Sequence, residues 1–541
     1  MQADHPEFAN FIASREPTPE QLEQQAKAAE AFAYRPLISV ILPIYRLPLE
    51  VLEETIASLE AQTYPHWQGC LVWSDVHDLD GWRWLQERTA NDARFRIALL
   101  AENGGISRNS NAALELADGE FLALLDHDDT LTPWAFHDVV ALLQSQPDLD
   151  FIYSDKDSIS ADGSLRQNAL FKPGWSPEML HSVNYLTHLN IMRTSLVREI
   201  DGWNPDTDGA QDWDIFFRIT ERTHRIARLN SIMYHWRILP TSTATGLAAK
   251  PYAALGQLRS QQSHFKRQGL PATVLPTAEG MFRVEWPVRK GSVDVVVFQS
   301  GSLSQLVTVL DSLRACQQEV IDRIFVVMEA SPTDALRAFS QVWGDRLVML
   351  EVAQADWRGA LSAVVDDLHG DAVLLVDGRV EGLSQTLPQE LAGWVGHHPS
   401  IAWASAVILD LDSRVLEAGR VLGDNDESAP LFRDAYLHSY GWFGGPLWYR
   451  NASAASPVAV AIKASLLAGA LAEVPPPQPA NFATLCRVLR EGSLRGLVNP
   501  HARAHLREPT ESEWRNEGHF FAADPYFNPS FSQVSPLSMN P

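Results

Sequence analysis

A buried strand that ends in crowded carboxylates is the feature that most constrains this chain. Four apolar residues follow Phe121, and Asp126, Asp128 and Asp129 come directly after them. The apolar run predicts a core strand, and ionised carboxylates this close repel one another unless a cation lies between them. In an open α/β sheet, ligands bind beyond the carboxyl ends of the strands. The stretch therefore predicts a Mg²⁺ or Mn²⁺ site that also binds phosphates, with an acidic helix cap at Asp129 as the alternative.

Strand and helix patterns alternate from Leu37 onward. Such βαβα alternation predicts a mostly parallel sheet with helices on both faces. The first, second and fourth strands end at Tyr45, Asp75 and Asp126, so these ends converge on one edge of the sheet. The predicted strands are 37–42, 69–74, 95–100 and 121–126, and the predicted helices are 49–62, 80–89 and 106–116.

Composition excludes several classes of function. The chain has 541 residues, enough for two or three domains. Its formal net charge of −24 and the lack of a strong basic run argue against nucleic acid as a partner. Three widely separated cysteines, Cys70, Cys316 and Cys486, predict buried free thiols in a reducing compartment, rather than disulfides or a zinc site.

No segment has the pattern of a signal peptide or a membrane span. The N-terminus lacks a basic region followed by an apolar one. The most apolar window, 458–474, is interrupted by Lys463 and Glu473 and is too short to cross a bilayer. These features predict a cytoplasmic protein and leave peripheral contact with the inner membrane open.

Ten short motifs, in their order along the chain, resemble the family 2 glycosyltransferases of the GT-A fold. The resemblance covers about residues 36–270 and implies a Rossmann-like α/β domain that transfers sugar from a nucleotide-diphosphate donor. The last five motifs are similar to the bacterial O-antigen and surface-polysaccharide branch. The motifs are Val40–Tyr45, Ser58–Tyr64, Trp73–Asp75, Asn103–Ile106, Leu125–Asp129, Tyr153–Asp157, Phe171–Pro177, Asn184–Tyr185, Gly209–Asp214 and Tyr234–Arg237.

The resemblance implies a metal and diphosphate site. Asp126 and Asp128 would hold a divalent cation against the leaving diphosphate, with Asp126 also reaching the nucleotide. His235 lies where some relatives supply a further metal or diphosphate ligand; the alternative is a packed histidine beside Trp236. Arg237 would bind phosphate, or pair with a carboxylate.

The resemblance also implies nucleotide contacts. Pro43, Tyr45 and Asp75 lie where the family binds the base and ribose, although turn geometry and packing also explain the first two. Asn111 matches the family's asparagine on the helix after the glycine-rich turn. Relatives often carry arginine just before it, where this chain has Ser110, so the diphosphate contact is left open.

Asp212 is the predicted general base. In the family, the second residue of an acid–Asp pair deprotonates the acceptor hydroxyl opposite the leaving diphosphate, which gives a single displacement with inversion. Here the first residue of the pair is Gln211. The alternative is that Asp212 and Asp214 are acids favoured in a first helical turn. The expected acceptor or sugar contacts are Asn184, Tyr185, His188 and Trp213.

The region from about residue 291 repeats the plan of the first domain in a degenerate form. Asp377 and Arg379 stand where the first copy has Asp126 and Asp128, and an arginine there would exclude a cation. This predicts a second, inactive GT-A-like α/β domain, against the alternative of an unrelated sheet-rich domain. The predicted organisation is a helical lead-in (1–35), a catalytic domain (36–270), a linker (271–290), the degenerate domain (291–508) and an extension (509–541).

These features predict a metal-dependent, inverting hexosyl- or rhamnosyltransferase of bacterial surface-polysaccharide synthesis. The donor would be a UDP-sugar or dTDP-rhamnose, and the acceptor a glycan, a lipid-linked saccharide or a protein. Dimerisation through the second domain is left open. One alternative, a nucleotidyltransferase, would carry a glycine-rich, basic phosphate loop after the first strand, which Pro43–Pro48 is not. The other is an inactive glycan-binding or scaffolding protein.

Overall fold

Two compact units make up the part of the chain that the structure describes. The computed structural model describes residues 2–239, 251–423, 426–474, 481–507 and 524–531. The chain up to Trp175 and Asn184–Gln268 forms one unit, and Ser176–Val183 joins the chain from Gly269 onward in the other. The predicted domain bounds stay predictions, and most of the predicted extension 509–541 lies outside the described residues.

The first unit is a mixed α/β domain. Its strands are β1 (Gln2–Ala3), β2 (Ile38–Ile44), β3 (Trp67–Trp73), β4 (Phe95–Leu99), β5 (Phe121–Leu124), β6 (Thr130–Leu131), β7 (Phe151–Ile159), β8 (Leu165–Leu170), β9 (Asn190–Arg193) and β10 (Ile226–Arg237). Its helices are α1 (Pro6–Arg15), α2 (Pro19–Glu30), α3 (Leu49–Glu60), α4 (Leu79–Thr89), α5 (Ile106–Glu115), α6 (Ala135–Ser145), α7 (Thr194–Glu199), α8 (Gln211–Thr220) and α9 (Pro251–Arg267), with a 3₁₀ turn at Pro205–Thr207.

The centre of the first sheet is parallel and fully buried. Strands β3, β2 and β5 run side by side in parallel, and every residue of β2, β3 and β5 is buried. Near-continuous apolar sequence is what strands covered on both faces require. Helix α3 packs Leu52, Ile56 and Leu59 into this core, at the spacing of one helical face. Strand β9 then runs antiparallel between β5 and β7, so the sheet is mixed.

The second unit is also an α/β domain. Its strands are β11 (Thr273–Pro276), β12 (Phe282–Glu285), β13 (Val293–Phe298), β14 (Ile321–Met328), β15 (Leu347–Glu351), β16 (Ala372–Asp377), β17 (Val380–Leu383), β18 (Ile401–Leu409), β19 (Val415–Glu417), β20 (Arg420–Leu422), β21 (Ser428–Pro430), β22 (Arg450–Ala452), β23 (Ala459–Lys463) and β24 (Arg495–Leu506). Its helices are α10 (Leu303–Ala315), α11 (Asp334–Ala338), α12 (Ser340–Trp343), α13 (Trp357–Val364), α14 (Leu387–His397), α15 (Ala464–Glu473) and α16 (Phe482–Leu489), with 3₁₀ turns at Pro177–His181, Gln318–Val320, Gly344–Arg346 and Val365–Asp367.

The two large sheets have the same topology. The first has the order β4-β3-β2-β5-β9-β7-β10-β6, with β8 also beside β7, and the second has β15-β14-β13-β16-β23-β18-β24-β17, with β19 beside β18. Each corresponding pair of neighbours has the same direction, antiparallel at β5-β9 and β16-β23, parallel at β7-β10 and β18-β24. The predicted fold class, two successive α/β domains of related plan, is therefore confirmed.

None of the helices in the part of the chain that the structure describes has the length and apolarity needed to cross a bilayer.

Candidate active site

The carboxylate turn after β5 is tied to β10 by a buried acid. Asp129 is fully buried; the Tyr234 hydroxyl donates to its Oδ2 at 2.5 Å and the Arg237 backbone N–H to its Oδ1 at 2.7 Å. The Asp126 N–H in turn donates to the Tyr234 hydroxyl oxygen at 3.2 Å. Burial, then the charges of Asp126 and Asp128, raise the pKa of Asp129 well above its usual range. These contacts fix where the Asp126 side chain can lie.

Two acids and a histidine from distant parts of the sequence meet in a small cleft. His188 Nε2 lies 3.9 Å from Asp126 Oδ2 and 3.7 Å from Asp212 Oδ2. The imidazole stacks on the Tyr234 ring with centroids 4.8 Å apart, and its buried Nδ1 has no hydrogen-bond partner among the described residues. The cleft is lined by Ile41, Pro43, Ile106, Ser110, Leu124, Leu125, Asp126, His188, Trp203, Gln211 and Asp212.

The electrostatics of this cleft favour a bound cation. Enclosure raises the pKa of Asp126 to about 6; His188 opposes the rise, and Asp212 and Asp128 add to it. Ligand atoms of Asp126, Asp129 and His188 lie within 4.8 Å of one another. Carboxylate oxygens with one imidazole fit Mn²⁺ or Mg²⁺. The sequence had named Asp126 and Asp128 as the pair, whereas the structure groups Asp126 with Asp129 and His188.

His235 is not part of this group. Its Nδ1 lies 2.6 Å from Asp157 Oδ1, and Asp157 also accepts from Arg166 Nε at 2.5 Å. Alternation along β10 directs His235 to the face opposite Tyr234, whose hydroxyl contacts Asp129. The predicted ligand role of His235 stays a prediction, and the structure supports its alternative, a packed and partnered histidine.

Arg237 is likewise directed away from the cleft. It is fully buried, with Nε donating to the Asp128 carbonyl at 2.9 Å, Nη1 to the Ala161 carbonyl at 3.0 Å, and Nη2 paired with Glu54. The guanidinium therefore stabilises the carboxylate turn through the backbone of Asp128. In this arrangement the guanidinium is not placed for the predicted phosphate contact.

One of the predicted nucleotide residues lines the cleft, and an arginine joins two others. Pro43 lines it, while Asp75 accepts from Arg46 Nε at 3.3 Å and the Arg46 guanidinium lies 4.9 Å from the centroid of the Tyr45 ring. Arg46, which the sequence analysis did not name, thus joins the two residues expected at the base and ribose. The nucleotide roles of all three stay predictions.

Asn111 is hydrogen-bonded to the backbone of Trp203, a residue that lines the cleft. Its Nδ2 donates to the Trp203 carbonyl and its Oδ1 accepts from the Trp203 N–H, both at 2.8 Å. Both amide atoms are thus engaged by backbone, which leaves the side chain poorly placed for the predicted diphosphate contact. Trp203 itself lines the cleft.

Replacing Asn111 by Ala is expected to lower the free energy of unfolding by about 2 kcal/mol, because it leaves the buried Trp203 N–H and carbonyl unpaired. Denaturant unfolding measures the loss, and the exposed Asn91→Ala is the matched control. A variant of unchanged stability that has lost nucleotide binding would instead support the predicted contact.

The remaining predicted contacts are mostly core residues. Tyr185 is 1% exposed and packs edge-on against Tyr153 with centroids 6.0 Å apart. Trp213 is also buried. Asn184 is half-buried, and its Oδ1 has no hydrogen-bond partner among the described residues. Of this predicted set, the structure brings only His188 to Asp126 and Asp212.

Lys156 is a functional candidate that the sequence analysis missed. Its ammonium lies 4.5 Å from the centroid of the Trp236 ring. Burial lowers the pKa of Lys156 to about 8, against the charges of Asp129, Asp157 and Asp126. Lys156 is the half-buried residue of an otherwise buried strand β7, and a lysine in such a strand was the available signal, because lysine is mostly exposed.

The cysteines offer no nucleophile. Burial raises the pKa of each of Cys70, Cys316 and Cys486 to about 12, so their thiols stay protonated.

A family model matches part of the first unit. Residues 39–200 match the model "Glycosyl transferase family 2". The resemblance found in the motifs is confirmed, and with it the GT-A class of the first unit.

Relatives extend the similarity beyond this domain. The chain is similar to "Uncharacterized protein y4gI" of Sinorhizobium fredii, with 32% identity over 72% of this chain and 44% of that protein. It is also similar to "O-antigen biosynthesis protein RfbC" of Myxococcus xanthus, with 28% identity over 83% of this chain and 35% of that protein. The chain thus spans less than half the length of either relative. Among solved structures, S. aureus TarS 1–349 in complex with UDP-GlcNAc aligns with a TM-score of 0.33 and 20% identity, over 41% of this chain and 66% of that one.

Proposed function

We propose that this chain is a divalent-metal-dependent, inverting glycosyltransferase of bacterial surface-polysaccharide synthesis. The observation that carries the proposal is the meeting of Asp126, His188 and Asp212 in one cleft of a family 2 domain. The donor is a nucleotide-diphosphate sugar, a UDP-sugar or dTDP-rhamnose. The acceptor is a hydroxyl of a glycan, a lipid-linked saccharide or a protein, and the similarity to an O-antigen biosynthesis protein supports the setting.

Asp126 and His188 would hold a divalent cation, with Asp129 or Asp128 completing the set. Such a cation would supply positive charge against the leaving diphosphate. Asp129 is already engaged by Tyr234 and Arg237, so its main task is to fix the turn.

Asp212 deprotonates the acceptor hydroxyl. It lies in the first turn of helix α8, a position where the helix dipole is favourable to negative charge. Its Oδ2 lies 3.7 Å from His188 Nε2, so the proposed base is next to a residue proposed to hold the cation. Attack from the side of Asp212, opposite the departing diphosphate, inverts the anomeric carbon in a single displacement.

The second unit is proposed to be non-catalytic. Asp377 stands at the end of β16 as Asp126 follows β5, but its carboxylate pairs with Arg379 at 2.9 Å and accepts from Ser300. The Arg379 guanidinium therefore occupies the side of Asp377 that a cation would need, and its positive charge would repel one. Asn481 caps α16, the helix that corresponds to α8, with its side chain bonded to the Ala483 N–H. Dimerisation and acceptor binding by this unit stay predictions.

Removing the carboxylate of Asp126 is expected to abolish metal-dependent nucleotide binding. Titration calorimetry with UDP and with dTDP, each with Mn²⁺ or with EDTA, should show one nucleotide bound about tenfold or more tightly with Mn²⁺. Asp126→Asn should lose that gain. The exposed Asp148→Asn is the matched control.

Failure of the wild-type protein to bind either nucleotide under any metal condition would oppose the proposal. It would favour the alternative of an inactive glycan-binding or scaffolding protein.

A further inference from the structure

Lys156 lies on the face of the sheet that carries the acid cluster. It stands on β7 directly opposite Tyr234 on the parallel strand β10, and residues paired in this way project to the same face. The Tyr234 hydroxyl contacts Asp129 and the backbone of Asp126. Trp236, two residues further along β10, lies beneath the Lys156 ammonium. The lysine is thus directed toward the acids.

Among the residues that the structure describes, no carboxylate lies within ion-pairing distance of the Lys156 ammonium. Asp129, Asp157 and Asp126 all act on Lys156 electrostatically, yet among the described residues Lys156 forms no ion pair within 4.0 Å and no hydrogen bond. Lys172, by contrast, donates its Nζ to the carbonyls of Leu186 and His188. Lys156 is half-buried, and an ammonium partly withdrawn from water without such acceptors is destabilised unless a ligand supplies them.

We infer that Lys156 is a diphosphate-binding residue of the donor site. The inference rests on the proposed function and names a side chain that would neutralise part of the negative charge of the diphosphate. Asp126 and its neighbours offset the charge of one divalent cation, so a diphosphate bound beside them leaves excess negative charge. Lys156 supplies the further positive charge. Its ammonium acts as a compact point charge, which is how lysine binds phosphate. Nucleotide binding should therefore persist in part when the divalent cation is removed.

The test measures two ligands whose affinities should change in opposite directions. Calorimetry compares the wild type with Lys156→Met and Lys156→Arg, using Mn²⁺ alone, and then UDP and dTDP with Mn²⁺ or with EDTA. Lys156→Met should weaken nucleoside-diphosphate binding about tenfold or more under both conditions. It should tighten binding of Mn²⁺ alone, because a positive charge beside Asp126 and Asp129 is gone. Lys156→Arg should retain most of the diphosphate affinity.

The controls separate this role from packing. The exposed Lys27→Met removes one charge from the same unit without touching the cleft. UMP and dTMP, which lack the second phosphate, should lose less affinity than the diphosphates in Lys156→Met. If Lys156→Met binds the diphosphates as the wild type does, or weakens Mn²⁺ and nucleotide together, the inference is overturned while the proposed function stands. If the wild type binds no nucleotide diphosphate, both fall together.

Discussion

Asp212→Asn should reduce sugar transfer by about 10²–10⁴-fold, because a positioned general base contributes about that much. The amide keeps the size of the side chain but cannot take the acceptor's proton. His188 Nε2, 3.7 Å from Asp212 Oδ2, cannot replace it, because the same nitrogen faces Asp126 at 3.9 Å. The measurement is the rate of nucleotide-diphosphate release from whichever donor the wild type consumes, with calorimetric affinity for that nucleotide as the companion readout.

The matched control for Asp212→Asn is Asp206→Asn, which changes an exposed acid in the 3₁₀ turn before α8. It should change neither rate nor affinity. Equal loss of rate and nucleotide affinity in Asp212→Asn would contradict the assignment, because a base acts on the acceptor and not on the bound nucleotide. An unchanged rate would instead support the alternative, in which Asp212 is an acid favoured in the first helical turn.

The framework of the first unit could be predicted because its signals are local. The apolar run of β2 and the i, i+4, i+7 spacing of Leu52, Ile56 and Leu59 on α3 need no knowledge of distant residues. The bounds differ by at most two residues, as at β5, which ends at Leu124 and leaves Asp126 in the turn beyond it. The tandem repeat could be predicted for the same reason, since both copies begin with the same alternation.

The site was predicted only in part, because its contacts join distant segments. The family's motifs singled out Asp126 and Asp212, but nothing in the sequence places His188 between them or gives both amide atoms of Asn111 to the backbone of Trp203. The position of His235 was partly open to prediction. Successive residues of a strand point to opposite faces, so His235 and Tyr234 cannot share a face of β10. Which of the two faces meets the acids depends on tertiary packing.

Breaking the ion pair between Glu178 and Arg495 should destabilise the second unit. Glu178 is 1% exposed, and Arg495 donates from Nε and Nη2, with Nη2 2.5 Å from Glu178 Oε1. Although burial raises the pKa of Glu178, the charge and hydrogen bonds of Arg495 lower it to about 2. Glu178→Gln leaves the guanidinium without its counter-charge and should lower the free energy of unfolding by about 3 kcal/mol near neutral pH.

The pH dependence gives the prediction a second, independent signature. Because the folded pKa of about 2 lies below the ordinary value of 4.5, the stabilisation by Glu178 is complete above pH 4.5 and is lost as the pH falls toward 2. Amide hydrogen exchange in β24, which begins at Arg495, should therefore accelerate in acid in the wild type and less so in Glu178→Gln. Exchange in β4 is the internal reference, and the exposed Glu491→Gln is the control. Identical pH profiles for Glu178→Gln and the wild type would show that the pair contributes no net stability, as some buried ion pairs do not.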